Sequence, residues 1–196
     1  FSFVALSFII TNRTFCIIRN KNTAEKLVRR ADIKFKRHAI IDIGAHHAQL
    51  FDQLVQNKIS INDYHAFEPD PESAHVIQSK PAFKQNTIEL HQQSIASSNK
   101  SHQRFHSGLN YCSKLSSYGD LLVDSVSVDS LNLKPTIIKF HTEGSELDCL
   151  RSAFNTIKNY RPLIMTSLYH NRDGLCDTLH YFMTSHKDYH YFLRLH

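Results

Sequence analysis

The chain has 196 residues, 41% of them apolar and 21% charged, with a formal net charge of +5. That length fits one domain with a real core, and the composition is that of a soluble globular protein. The positive charge is scattered, and its densest cluster (Arg29, Arg30, Lys34, Lys36 and Arg37) reads as a solvated helix flank, so no nucleic-acid partner is expected. Fourteen histidines make part of the charge pH-sensitive near neutrality. Cys16, Cys112, Cys149 and Cys176 show no C-x-x-C spacing, which gives no support for a zinc ribbon or a thioredoxin motif. Reduced thiols and a cytoplasmic location follow as expectations.

The chain opens on FSFVALSFII, an apolar run too short to span a bilayer. It reads as a buried strand at a fragment's edge; the tail of a truncated signal or anchor, with membrane contact, is the other reading. Asn22 or Thr23 can cap a short helix to about Arg30. Residues 1–38 are thus an N-terminal segment, and 39–196 the main domain.

Residues 39–43 form an apolar strand interrupted only by Asp42, the pattern of a parallel strand covered on both faces. A helix is predicted from Ala48 to Asn57, a strand from Tyr64 to Phe67, a helix from Pro71 to Gln78, and a weaker strand from Thr87 to Leu90. Residues 94–119 are a Ser-rich polar excursion with a little strand in it. Val126 and Val128 alternate with serines, as in a strand or edge, before the fourth core strand at 135–140. A helix over 145–160 carries Leu147, Leu150, Phe154 and Ile157 on one face, and Cys149 in it reads as a small core residue. A strand at 162–168, a helix at 173–186 and a strand at 189–195 complete the series. This alternation predicts an α/β fold with a mostly parallel sheet.

Gly44 follows the first core strand directly, so a ligand can approach backbone N–H groups there. Asp42 can accept from an ammonium, and Glu68, straight off the second strand, can accept two ribose hydroxyls. A full G-x-G-x-x-G is absent, because His46 and Gln49 stand at its later glycine positions. A pyrophosphate needs that close backbone approach more than a sulfonium amino acid does, so the pattern favours S-adenosylmethionine over NAD.

The blocks AIIDIGAHHAQLFDQL, YHAFEPDPES, VSVDSLNLKPTIIKFHTEGSELDCLRSA and YRPLIMTSLYH together resemble the FkbM-type methyltransferases. That resemblance implies a Rossmann-like, doubly wound, seven-stranded sheet with the last strand antiparallel. It also implies methyl transfer from S-adenosylmethionine, commonly to a hydroxyl of a sugar or small natural product. By similarity Asp42, Gly44 and Ala45 would line the methionine part of the cofactor, Glu68 would hold the ribose, and Ser94 would lie near the adenine. The family pattern usually has Asn at the place of His46, Gly at that of Ala48, and an acid at that of His141.

A hydroxyl acceptor benefits from a base at the carboxyl ends of the strands. His141 is the first candidate, since a free histidine titrates at about 6.5. Glu143 is a positioning group or alternative base; it could also cap the turn that follows, and Glu146 suits a helix N-terminus. No metal is expected. His102 and His106 are four apart without a firm helix or an evident third ligand, and His141 with His170 is a spatially plausible pair at adjacent strand ends. An NAD-linked oxidoreductase and a non-catalytic binding module are the alternatives.

Overall fold

The computed structural model describes residues 6–11, 37–85, 87–107 and 114–195. The helix expected up to Arg30, most of the basic cluster, Cys16 and Cys112 lie outside them. The strands are β1 (Leu6–Thr11), β2 (His38–Ile43), β3 (Ile61–Phe67), β4 (Glu89–His91), β5 (Ser94–Ile95), β6 (Lys100–His106), β7 (Lys114–Leu115), β8 (Leu121–Val126), β9 (Ile137–Phe140), β10 (Leu163–Ser167) and β11 (His190–Leu195). The helices are α1 (Gln49–Gln56), α2 (Pro71–Ser79), α3 (Pro81–Lys84), α4 (Glu146–Ser152), α5 (Phe154–Tyr160) and α6 (Gly174–Ser185).

The main sheet has the order β11-β1-β10-β9-β2-β3-β4. From β4 to β10 its neighbours pair in parallel. β1 pairs antiparallel with both β10 and β11. The expected reversal of the last strand therefore falls differently: β11 is antiparallel to its neighbour, but β1 is the strand that runs against the rest.

Strand period 2 splits the apolar residues between two cores. Ile41, Ile43, Ile138 and Phe140 pack with Leu150, Ile157 and Phe182 of α4, α5 and α6. Ile40, Ile137 and Leu163 pack on the other face with Phe51, Leu54 and Ile77 of α1 and α2. Burial on both faces explains why β2 and β9 read as near-continuous apolar runs. Asp70 caps α2 by accepting from the backbone N–H groups of Glu72 and Ser73, each at 3.0 Å, and Pro71 starts its first turn.

The long helix expected over 145–160 is two helices, meeting at Ala153. Ser152 Oγ donates back to the Cys149 carbonyl at 2.7 Å and accepts from Val128 N at 3.3 Å, an arrangement that bends a helix. The polar excursion is more ordered than its composition suggested, since β5, β6 and β7 join β8 in a separate four-stranded sheet. Among the described residues no helix is long and apolar enough to cross a membrane.

Candidate active site

The strand order reverses its direction of growth between β2 and β9, the switch point at which open α/β sheets bind ligands. The carboxyl ends of β2, β3, β9 and β10 carry Gly44, Glu68, His141 and, three residues past β10, His170.

Gly44 has φ +67°, and a Cβ there would lie 1.8 Å from the His141 carbonyl oxygen. Only glycine fits, but the neighbour that demands it is the end of β9 rather than a ligand. The Gly44 and Ala45 N–H groups both donate to the Phe67 carbonyl, at 3.0 and 3.2 Å, and His46 N donates to Glu68 Oε2 at 2.6 Å. These amides are committed within the protein and do not form an open anion cradle.

Glu68 is buried, 6% exposed. Its Oε1 accepts from Asp70 N at 2.9 Å, so each carboxylate oxygen holds one amide and keeps lone-pair capacity for a further donor. Burial pushes its carboxyl up, against the pull of those two amides, to about 7.

The role expected of Asp42 has to be corrected. It is fully buried, and its Oδ1 accepts from Lys139 Nζ at 2.7 Å while Oδ2 accepts from the Tyr64 hydroxyl. The ammonium it holds is the protein's own. Lys139 Nζ also donates to the Gly44 carbonyl at 2.9 Å, which ties this network to the underside of the loop. Lys139 was missed in the sequence. A signal was present: each of two apolar strands carries one charge near its carboxyl end, and in register those residues face each other.

Ser94 is buried at the start of β5, and its hydroxyl donates to the Asp124 carbonyl at 3.4 Å. It is thus engaged with the small sheet. His102 and His106 are both on strand β6, so the shared helical face needed for a metal pair does not exist.

At the other side of the switch point, Glu143 adopts φ +52° in the turn after β9. That left-handed backbone is costly for a residue with a Cβ and recurs at functional sites. Its Oε1 lies 3.2 Å from His141 Nε2 and 3.1 Å from His170 Nε2. His141 Nε2 is also 3.3 Å from the Tyr169 hydroxyl. Burial raises the Glu143 carboxyl, but the two histidines outweigh it and hold the group down at about 2. A carboxylate that acidic is a weak base, which argues against Glu143 as the proton acceptor.

Glu146, rather than Glu143, caps the turn: Oε1 accepts from Thr142 N at 3.0 Å and from Ser167 Oγ at 2.9 Å, and Oε2 accepts from Gly144 N at 3.0 Å. Its Oε1 also meets His170 Nδ1 at 2.5 Å. Burial lowers the His170 pKa, but the two carboxylates outweigh it and raise it to about 9. Cys149 is buried with its thiol pushed up to about 12, an inert core residue as expected.

The Methyltransferase FkbM domain model matches residues 42–194. The chain belongs to this family. Among solved structures, the chain resembles a crystal structure of methyltransferase FkbM from Methylobacillus flagellatus KT, with a TM-score of 0.61 and 21% identity. The match covers 78% of this chain and 38% of that one, so this chain spans well under half of the solved protein; at that identity it shows the fold. No curated protein matches the chain.

Two departures from the FkbM pattern now have a physical meaning. His46 (φ 50°) and Ala48 (φ 53°) both hold left-handed backbone. The Asn and Gly that usually stand in the family at these places are the residues for which that conformation is easiest. His46→Asn is expected to stabilise the chain by about 1 kcal/mol, or about 2–4 °C in Tm. Thermal unfolding followed by circular dichroism checks this, and an unchanged or lower Tm would show that the loop is not strained at His46. Ala48→Gly should gain less, because the buried Ala48 methyl packs with Phe51 and Leu54.

Proposed function

We propose that this FkbM-family chain is an S-adenosylmethionine-dependent O-methyltransferase acting on a hydroxyl of a sugar or small natural product. The observation that carries the reading is contiguity. The Gly44 loop touches the His141 backbone on one side and reaches Glu68 through the His46 amide on the other. A donor grip and a histidine cluster thus share one seam at the switch point.

The residues fit the cofactor. Glu68 has lone-pair capacity for ribose hydroxyls, and the committed amides suit a ligand without a diphosphate there. When bound, S-adenosylmethionine supplies a methyl group already activated on sulfonium sulfur. An acceptor hydroxyl taking that methyl would have to give up its proton. In this reading His141, 37% exposed at its side chain, would take that proton, with Glu143 fixing the ring. Alignment of donor and acceptor can contribute about 7–11 kcal/mol. The small sheet of β5–β8, the former polar excursion, is the acceptor wall in this reading.

Isothermal titration with S-adenosylmethionine is the direct test. No binding by the folded chain would favour a non-catalytic module, and a thermal shift with NAD instead would favour the oxidoreductase.

Glu68 adds a pH signature. Its carboxyl sits at about 7 in the fold, up from an ordinary 4.5. The stability linked to this group is therefore full below about 4.5 and is lost as pH rises through about 7. Ribose hydroxyls donate to the ionised form, so cofactor affinity should rise as pH rises through that value. Between pH 6 and pH 8 the gain should be about tenfold, measured as Kd, and it should vanish in Glu68→Gln. A flat Kd in the wild type would remove Glu68 from the ribose contact.

A further inference from the structure

We infer that His141, Glu143 and His170 form a binding site for one divalent transition-metal ion of the zinc class. The inference deepens the acceptor-side reading and rests on it for the ion's use, though not for its binding. Strand order offered His141 and His170 as a plausible pair at adjacent strand ends. The turn after β9 supplies a third ligand, because the left-handed Glu143 brings its carboxylate to both rings.

Glu143 Oε1 is 3.2 Å from His141 Nε2 and 3.1 Å from His170 Nε2, within ion-pair distance of both rings. His170 Nε2 is buried without a hydrogen-bond partner, on a side chain only 8% exposed. Three donor atoms of the kinds that ligate zinc crowd together at one end of the sheet. Ligands on a tetrahedral zinc ion lie about 3.3 Å apart, close to both printed separations. The three donor atoms all fall within 4.8 Å of one another.

The outer contacts agree. Glu146 Oε1, 2.5 Å from His170 Nδ1, is the carboxylate that orients a metal-bound histidine and leaves Nε2 free to ligate. Two imidazoles and one carboxylate suit zinc-class ions better than magnesium or calcium. Three protein ligands leave a position open, as at catalytic rather than structural sites. His141, 37% exposed, marks the solvent side on which an acceptor hydroxyl would enter. The ion then does the work assigned above to His141: a hydroxyl bound to it becomes acidic and loses its proton to solvent.

A second cluster, His65, Glu89 and His91, serves as an internal control. Its glutamate is 64% exposed, and its two histidines already bond each other, His65 Nδ1 to His91 Nε2 at 3.2 Å. The whole chain, stripped with chelator and dialysed, is titrated with Co2+ by visible absorption and with Zn2+ by calorimetry. One ion per chain and an intense cobalt band are expected. Both should weaken at least tenfold in His170→Ala and in the conservative Glu143→Gln, and persist in His91→Gln, with far-ultraviolet circular dichroism unchanged. Glu146→Gln should weaken affinity by about 10–100-fold.

Absence of the cobalt band, its survival in both folded ligand variants, or its loss in His91→Gln would overturn the assignment. Methyl transfer by a chelated chain that binds no cobalt would remove the ion and leave the methyltransferase reading standing. A cobalt band in a chain that does not bind S-adenosylmethionine would support the ion site while removing that reading.

Discussion

Replacing His141 by alanine is expected to lower methyl transfer by about 10²–10⁴-fold while S-adenosylmethionine still binds. The ring stands at the end of β9 with its Nε2 between Glu143 and the Tyr169 hydroxyl. In the proposed reading the cofactor is held by other atoms, the Glu68 carboxylate and the backbone of the Gly44 loop, and that loop meets His141 only through its main chain. Removing the imidazole therefore takes away acceptor activation and leaves the donor side in place. The measurement is single-turnover transfer of labelled methyl to an acceptor found by screening hydroxylated sugars and natural products, beside calorimetry with the cofactor. Wild-type turnover in the variant would end any role for His141 in the reaction. Loss of cofactor binding would mean that the two sides are not separable as described.

Lys139→Met should cost about 3–5 kcal/mol of stability. Asp42 is fully buried, and Lys139 is its cation, at 2.7 Å. Methionine keeps most of the lysine's length but leaves the carboxylate with only the Tyr64 hydroxyl, and an uncompensated charge in a low-dielectric interior is among the costliest single defects. At this chain length that loss is roughly 6–20 °C in Tm. The double variant Asp42→Asn with Lys139→Met should recover a large part, because no bare charge remains. A small loss for Lys139→Met alone, or no recovery in the double variant, would show that the pair is not the buried electrostatic unit described here. The Lys139 bond to the Gly44 carbonyl adds a second consequence: cofactor affinity should fall in the single variant even below its melting range.

The features that could be read from the chain were those with a local signature. Gly44 and Glu68 stand directly after apolar strands, and the α/β alternation itself places strand ends together. What escaped depended on partners far apart in sequence. Asp42 looked like a ligand contact because its ion-pair partner lies 97 residues away on the next strand. Glu143 and Glu146 are three apart in one turn, and only the backbone dihedrals decide which carboxylate caps the turn and which meets the histidines. The small sheet of β5–β8 was hidden for a related reason. Its strands are short and largely polar on their exposed faces, so their pairing rests on long-range register rather than on a hydrophobic period.

Backbone contact between Gly44 and the end of β9 has a mechanical consequence. With no room for even one methyl group between them, and with His141 N donating to the Ile43 carbonyl at 3.0 Å, the two turns move as one body. Any opening or closing that admits reactants must therefore hinge elsewhere. In the proposed reading the reach from donor to acceptor would then be built into the main chain, and a change of acceptor would have to be sought in the surrounding walls.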